Sequence, residues 1–85
     1  MGSTPNHVDV IIVVSGAPQP VSINIHEPLE HAVREALRGN PGQAPEEWEL
    51  RSEDGVLIDQ QQRPGEAGVT DGQTLFLNPR AGAGG

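Results

Sequence analysis

The sequence predicts an α+β domain: one mixed sheet of four to five strands with a single helix across one face. Three observations carry this. Two alternating, β-branched segments, "HVDVIIVV" and "VSINI", lie close together near the start and read as a hairpin. A segment of helical period follows, and three short strand-like segments close the chain. Burying the helix stripe against the inward valines and isoleucines would form one core. A helix after a hairpin also lets the last strand enter beside the first, parallel to it.

Residues 1–6 ("MGSTPN") are expected to be a disordered lead-in, with the folded domain spanning 7–78. In the first strand Val8, Val10, Ile12 and Val14 share one face, and Asp9, Ile11 and Val13 the other. "GAPQP" supplies turn residues, and Val21, Ile23 and Ile25 then alternate with Ser22 and Asn24. In "HEPLEHAVREALRGN" the period changes. Leu29, Ala32, Val33, Ala36 and Leu37 form the stripe of an amphipathic helix. Pro28 suits its first turn, where a missing N–H costs nothing. Glu27 and Glu30 lie near the positive N-terminal end, and Arg34 and Arg38 near the negative end. Gly39 is the expected cap, and Pro41 prevents continuation. "PGQAPEE" reads as a loop and "WELR" as a strand with Trp48 and Leu50 inward. "SEDG" is a tight turn, "VLID" a short strand, "QQQRPGEAG" a longer connection and "VTDG" another turn, which Gly72 serves. "TLFLN" is the last strand, with Leu75 and Leu77 on one face; residues 79–85 are expected to be a flexible tail, and after Pro79 nothing can pack. No internal repeat is visible.

Composition narrows the chemistry. At 85 residues the chain is one small domain, and it has no cysteine. Disulfides, thiolate metal sites and cysteine nucleophiles are therefore excluded. A net charge of −7 argues against nucleic-acid backbones and anionic membranes. His7, His26 and His31 lack a metal-site spacing, so no metal and no bound cofactor are expected. The acidic group Glu46, Glu47, Glu49, Glu53, Asp54 and Asp59 reads as a solvated face, with a docking surface for a basic partner as the alternative. No carboxylate pair sits in a recognisable pocket, so the chain is not expected to be an enzyme and has no catalytic residue to name. "VIIVVSGA" follows Asp9 without a preceding lysine or arginine, so it is no convincing targeting signal, and a cytoplasmic monomer is expected. All five basic residues are arginine, and lysine does not occur. Composition rich in alanine, glycine and proline is one reading of that absence. The other is functional: the chain carries no ε-amine.

From His7 to Gly85 the chain resembles the ubiquitin-like β-grasp proteins in element order, loop positions and helix. The most specific stretch is "VTDGQTLFLNPRAGAGG", similar to the turn, last strand and diglycine tail shared by ubiquitin-type modifiers and by the sulfur carriers of molybdopterin and thiamine synthesis. Within that superfamily it looks most like the bacterial ubiquitin-like modifiers. Two positions depart from ubiquitin. Glu49 and Asn78 stand where ubiquitin presents apolar residues to its receptors, so that patch is missing in this alignment.

The resemblance implies a modifier whose Gly85 carboxylate is adenylated by an activating enzyme using ATP and Mg²⁺. It would then pass through thioesters to a conjugating enzyme, and on to an amine or hydroxyl of a target protein. A deconjugating protease would reverse the attachment. Recognition of the tail falls to Arg80, Ala81, Gly82, Ala83 and Gly84. Glycine without a Cβ lets the backbone thread a narrow channel, and Pro79 stiffens the exit from the sheet. The alternative is a sulfur carrier forming a C-terminal thiocarboxylate for cofactor biosynthesis or tRNA thiolation. Both begin with the same step, so the tail does not separate them. A β-grasp adaptor with an inert tail, or a fragment of a larger protein, is the third reading.

Overall fold

The computed structural model describes residues 6–38 and 44–80. Strand β1 (His7–Val14) turns into β2 (Ala17–Asn24), which leads to helix α1 (Leu29–Ala36). A 3-10 turn at Pro45–Glu47 precedes β3 (Trp48–Arg51), β4 (Leu57–Ile58) and β5 (Thr74–Pro79). The five strands form one mixed sheet in the order β2-β1-β5-β3-β4. β1 and β5 run parallel at its centre, and the other neighbours are antiparallel.

The predicted inward faces of β1, α1, β3 and β5 hold, whereas Ile25, expected inward with Val21 and Ile23, follows the end of β2 at Asn24 and lies in a turn outside the core. Leu29, Val33 and Leu37 of the helix stripe join Val10, Ile12, Ile23 and Leu77 in one core cluster. Ile12, Leu29, Val33, Leu50, Leu75 and Leu77 are its largest fully enclosed hydrophobic side chains. Trp48 packs into the same cluster from β3.

The hairpin is tighter than the sequence suggests. Ser15 and Gly16 alone form the turn, both with positive φ (48° and 92°), the mirror-image geometry whose twist matches that of the flanking strands. The expected turn residues Ala17, Pro18, Gln19 and Pro20 belong to β2 instead. Two prolines are tolerated there because β2 is an edge strand. Counting outward from the Val14–Ala17 pair that closes the turn, bonded and non-bonded pairs alternate. Pro18 and Pro20 fall on the non-bonded pairs, so neither interrupts the ladder.

Helix α1 starts one residue after Pro28, which is its N-cap, extended at φ −63° and ψ 152°. Proline has no cap side chain to offer, and the 59–62 segment substitutes. The N–H groups of Leu29 and Glu30 donate to the carbonyls of Gln62 (2.9 Å) and Gln60 (2.8 Å), taking care of two orphan donors at the helix start. Glu30–Arg34 and Glu27–His31 pair along the exposed face, and Glu35–Arg38 extends it. The proposed stops at Gly39 and Pro41 lie outside the described residues.

Candidate functional site

The parallel pairing of β1 with β5 puts the end of β5 at the same edge of the sheet as the β1–β2 turn. Everything after β5 must leave from there. The ladder runs one residue beyond the expected boundary, since Pro79 still sits opposite Trp48. Arg80, expected to be the first unpacked residue of the tail, is held twice. Its N–H donates to the Glu47 carbonyl at 2.8 Å, and its Nε donates to the Glu46 carbonyl at 3.1 Å. Pro79 and Trp48 form a non-bonded pair, so the next bond on the β3 side falls to Arg80, against the 3-10 turn. The reading that nothing packs after Pro79 is therefore corrected at Arg80.

The 3-10 turn is in turn braced from below. Gln60 Nε2 donates to the carbonyls of Pro45 (3.1 Å) and Trp48 (2.9 Å), while its own carbonyl caps Glu30. One residue thus links helix start, 3-10 turn and β3, through its backbone carbonyl and its side chain, and the root of the tail rests on that assembly. Nothing in "QQQR" singles out Gln60. Its role exists only because the 59–62 segment crosses the helix N-terminus. Beside the root opens a cavity of about 460 Å³. Its apolar wall includes Leu57 and Ile58, and Glu46, Glu49, Asp59 and Arg80 contribute polar groups.

The remaining site residues, Ala81, Gly82, Ala83, Gly84 and Gly85, lie outside the described residues. So do residues 1–5 of the lead-in. The five residues beyond Arg80 can span at most about 17 Å when fully extended.

Glu49 and Asn78 face each other across β3 and β5. Glu49 is also tied to Arg51 at 3.1 Å. Of the acidic group read as a solvated face, Glu46, Glu47, Glu53, Asp54 and Asp59 are exposed and Glu49 is half-buried. Among the described residues no set of three or more His, Cys, Asp and Glu could hold a metal ion. His31 pairs with Glu27, and His7 and His26 are exposed at strand and turn positions. Among the described residues no polar or charged side chain is buried, and no helix is long and apolar enough to cross a membrane.

A family model described as "Protein of Unknown function (DUF2604)" matches residues 3–85. The chain belongs to the DUF2604 family. A curated relative from Sinorhizobium fredii, described as uncharacterized protein y4jI, is 39% identical over 87 residues. That match takes in 99% of this chain and 66% of the relative, so the chain spans just under two thirds of y4jI. Among solved structures, a protein designed de novo on the basis of ubiquitin matches with a TM-score of 0.77 at 20% identity, over 96% of this chain and 99% of the other. Caldiarchaeum subterraneum ubiquitin gives 0.71 at 18%, over 88% and 95%. The ubiquitin-like domain of EccD5 from Mycobacterium xenopi gives 0.68 at 24%, over 89% and 97%. This DUF2604 chain therefore has the ubiquitin-like β-grasp fold, with one helix on a five-stranded mixed sheet.

Proposed function

We propose that this DUF2604 protein is a ubiquitin-like modifier, activated at the carboxyl group of Gly85 once that group is free. One observation carries the reading: a ubiquitin-like fold whose central strand leads, past a held Arg80, into a segment of glycine and alanine ending in Gly84-Gly85. A carboxylate is a poor acyl donor until its oxygen becomes part of a leaving group. In the proposed sequence a Gly85 carboxylate oxygen attacks the α-phosphorus of ATP and pyrophosphate departs. A thiolate of the activating enzyme then attacks the acyl carbon and expels AMP. A conjugating enzyme takes over the acyl group, and a target amine or hydroxyl finally displaces the thiolate. The domain supplies no reacting side chain in this scheme. It supplies the short, side-chain-poor lead and a fixed point from which that lead departs.

The test is ATP–pyrophosphate exchange with the cognate activating enzyme. The free acid should support exchange, and a chain lacking Gly85 or ending in a Gly85 amide should not. Equal exchange by the amide would refute carboxylate activation. Mass spectrometry of the protein from its native cells then separates fates. Gly85 joined to target proteins supports the modifier, whereas a product heavier by the difference between sulfur and oxygen makes it a sulfur carrier.

A further inference from the structure

The helix covers only one face of the sheet. On the open face Ile11 of β1 lies between Pro20 of β2 and Thr74 of β5, and Val13 lies between Pro18 and Phe76. Ile11 and Phe76 are each 36% exposed, large for apolar side chains with no structural partner to gain. Phe76 lies two residues before Asn78 on the same face of β5 and opposite Arg51, so the cluster adjoins the Glu49–Asn78 pair and extends from it across β1 to β2. At one end the surface sinks into an open depression of about 430 Å³ with Ile11 and Pro20 in its wall. Asp9 and Gly72 stand at its rim. The Asp9 N–H is taken by Asp71 Oδ1 at 2.8 Å, which draws a second carboxylate to the same end.

Charge decides what fits there. Four of the five arginines pair with the protein's own glutamates, at Glu30, Glu35, Glu49 and Glu66. The fifth, Arg80, is turned onto a backbone carbonyl. Asp9 and Asp71 meet no cation among the described residues. A second copy would bring another −7 to the face, and Pro18 and Pro20 deny it the adjacent stretch of strand edge. A lysine or arginine side chain satisfies both halves of the depression. Its methylene stem lies on Ile11 and Pro20, and its charged head reaches Asp9.

We infer that this open face docks a protein segment presenting lysine or arginine beside apolar residues, with the basic side chain in the Asp9 depression and the apolar ones on Ile11, Val13 and Phe76. This inference does not depend on activation of Gly85, and its test leaves the tail out of account.

The probes are two synthetic peptides with the same leucine–phenylalanine core, flanked by lysine and arginine in one and by glutamate in the other. Each is titrated into the isotope-labelled chain while amide shifts are followed by NMR. The basic peptide should saturably move Asp9, Ile11, Val13 and Phe76, and the acidic one should not. Phe76→Ser should weaken binding at least about fivefold, as for a central contact. Asp9→Asn should weaken it about two- to fivefold and flatten its salt dependence. Trp48 fluorescence on unfolding checks that each variant is folded, and Ile11→Thr replaces Phe76→Ser if that variant is not. Shifts confined to another face, equal binding of both peptides, or no binding would overturn the inference. So would the same amides moving on dilution of the chain alone with sedimentation as a dimer, which would make a second copy the occupant.

Discussion

Leu50 and Leu57 are seven residues apart on neighbouring strands, and the structure gives them opposite fates. Leu50 is fully enclosed, opposite Leu77 on one side and Ile58 on the other. Leu57 is 53% exposed. Truncation to alanine removes the same three carbons from each. At Leu50 the lost transfer free energy is about 0.8 kcal/mol per carbon, or roughly 2.4 kcal/mol, and the cavity left behind raises the total to about 3 within a range of 2–5. At Leu57 about half of that surface is already wet and no cavity forms, so the cost should stay below about 1 kcal/mol. A domain of 85 residues has a total stability of only about 4–13 kcal/mol, so Leu50→Ala consumes a large part of it. Trp48 is the single tryptophan and is buried beside Leu50, so its fluorescence reports unfolding without a label. With a urea slope of about 1–1.5 kcal/mol/M, the Leu50→Ala midpoint should fall by about 2–3 M, and that of Leu57→Ala by less than about 1 M. Similar shifts for the two variants would refute the assigned register of β3 and β4, because only the register makes them differ.

Gly16 has open space where a Cβ would stand, so Gly16→Ala tests conformation alone. Holding alanine at a φ of 92° should cost about 1–2 kcal/mol, read by the same urea titration, and an unchanged midpoint would mean that the turn relaxes to another type. Gln60→Ala removes the donor shared by the Pro45 and Trp48 carbonyls, for an expected loss of about 1–3 kcal/mol. It should also speed amide hydrogen exchange at Arg80 more than at Leu75, whereas equal acceleration at both would deny a local brace. Within the modifier reading, the absence of lysine leaves the N-terminal amine, with an ordinary pKa of about 7.7–8.0, as the one amine able to accept another copy. Arginine stays protonated and does not serve. Tandem mass spectrometry of conjugates made with purified enzymes should find self-linkage only within residues 1–6. Linkage to a hydroxyl within 7–80, such as Ser52 or Thr70, would show acceptors on the folded body.

The sequence by itself determined the core. Which residues face inward along β1 and α1 follows from periods of two and 3.6 and from the cost of leaving that many valines, isoleucines and leucines in water. It also determined the absence of thiols and ε-amines, which no fold can supply. The ends of the elements were decided by tertiary contacts. "APQP" reads as a turn by local chemistry, yet it extends β2 because an edge strand has one side on which a missing N–H is harmless, and strand order is not a local property. Arg80 reads as tail by its position after a proline. It is held because the 3-10 turn brings the Glu46 and Glu47 carbonyls alongside, and the turn stays there through Gln60, at the far end of a different loop. The apolar cluster of Ile11, Val13 and Phe76 is the clearest case. Alternation assigned Ile11 and Val13 to the outer face. Only the parallel pairing of β1 with β5 set Phe76 beside Val13, and only the placement of one helix on the opposite face left Ile11 and Phe76 exposed and Val13 half-buried.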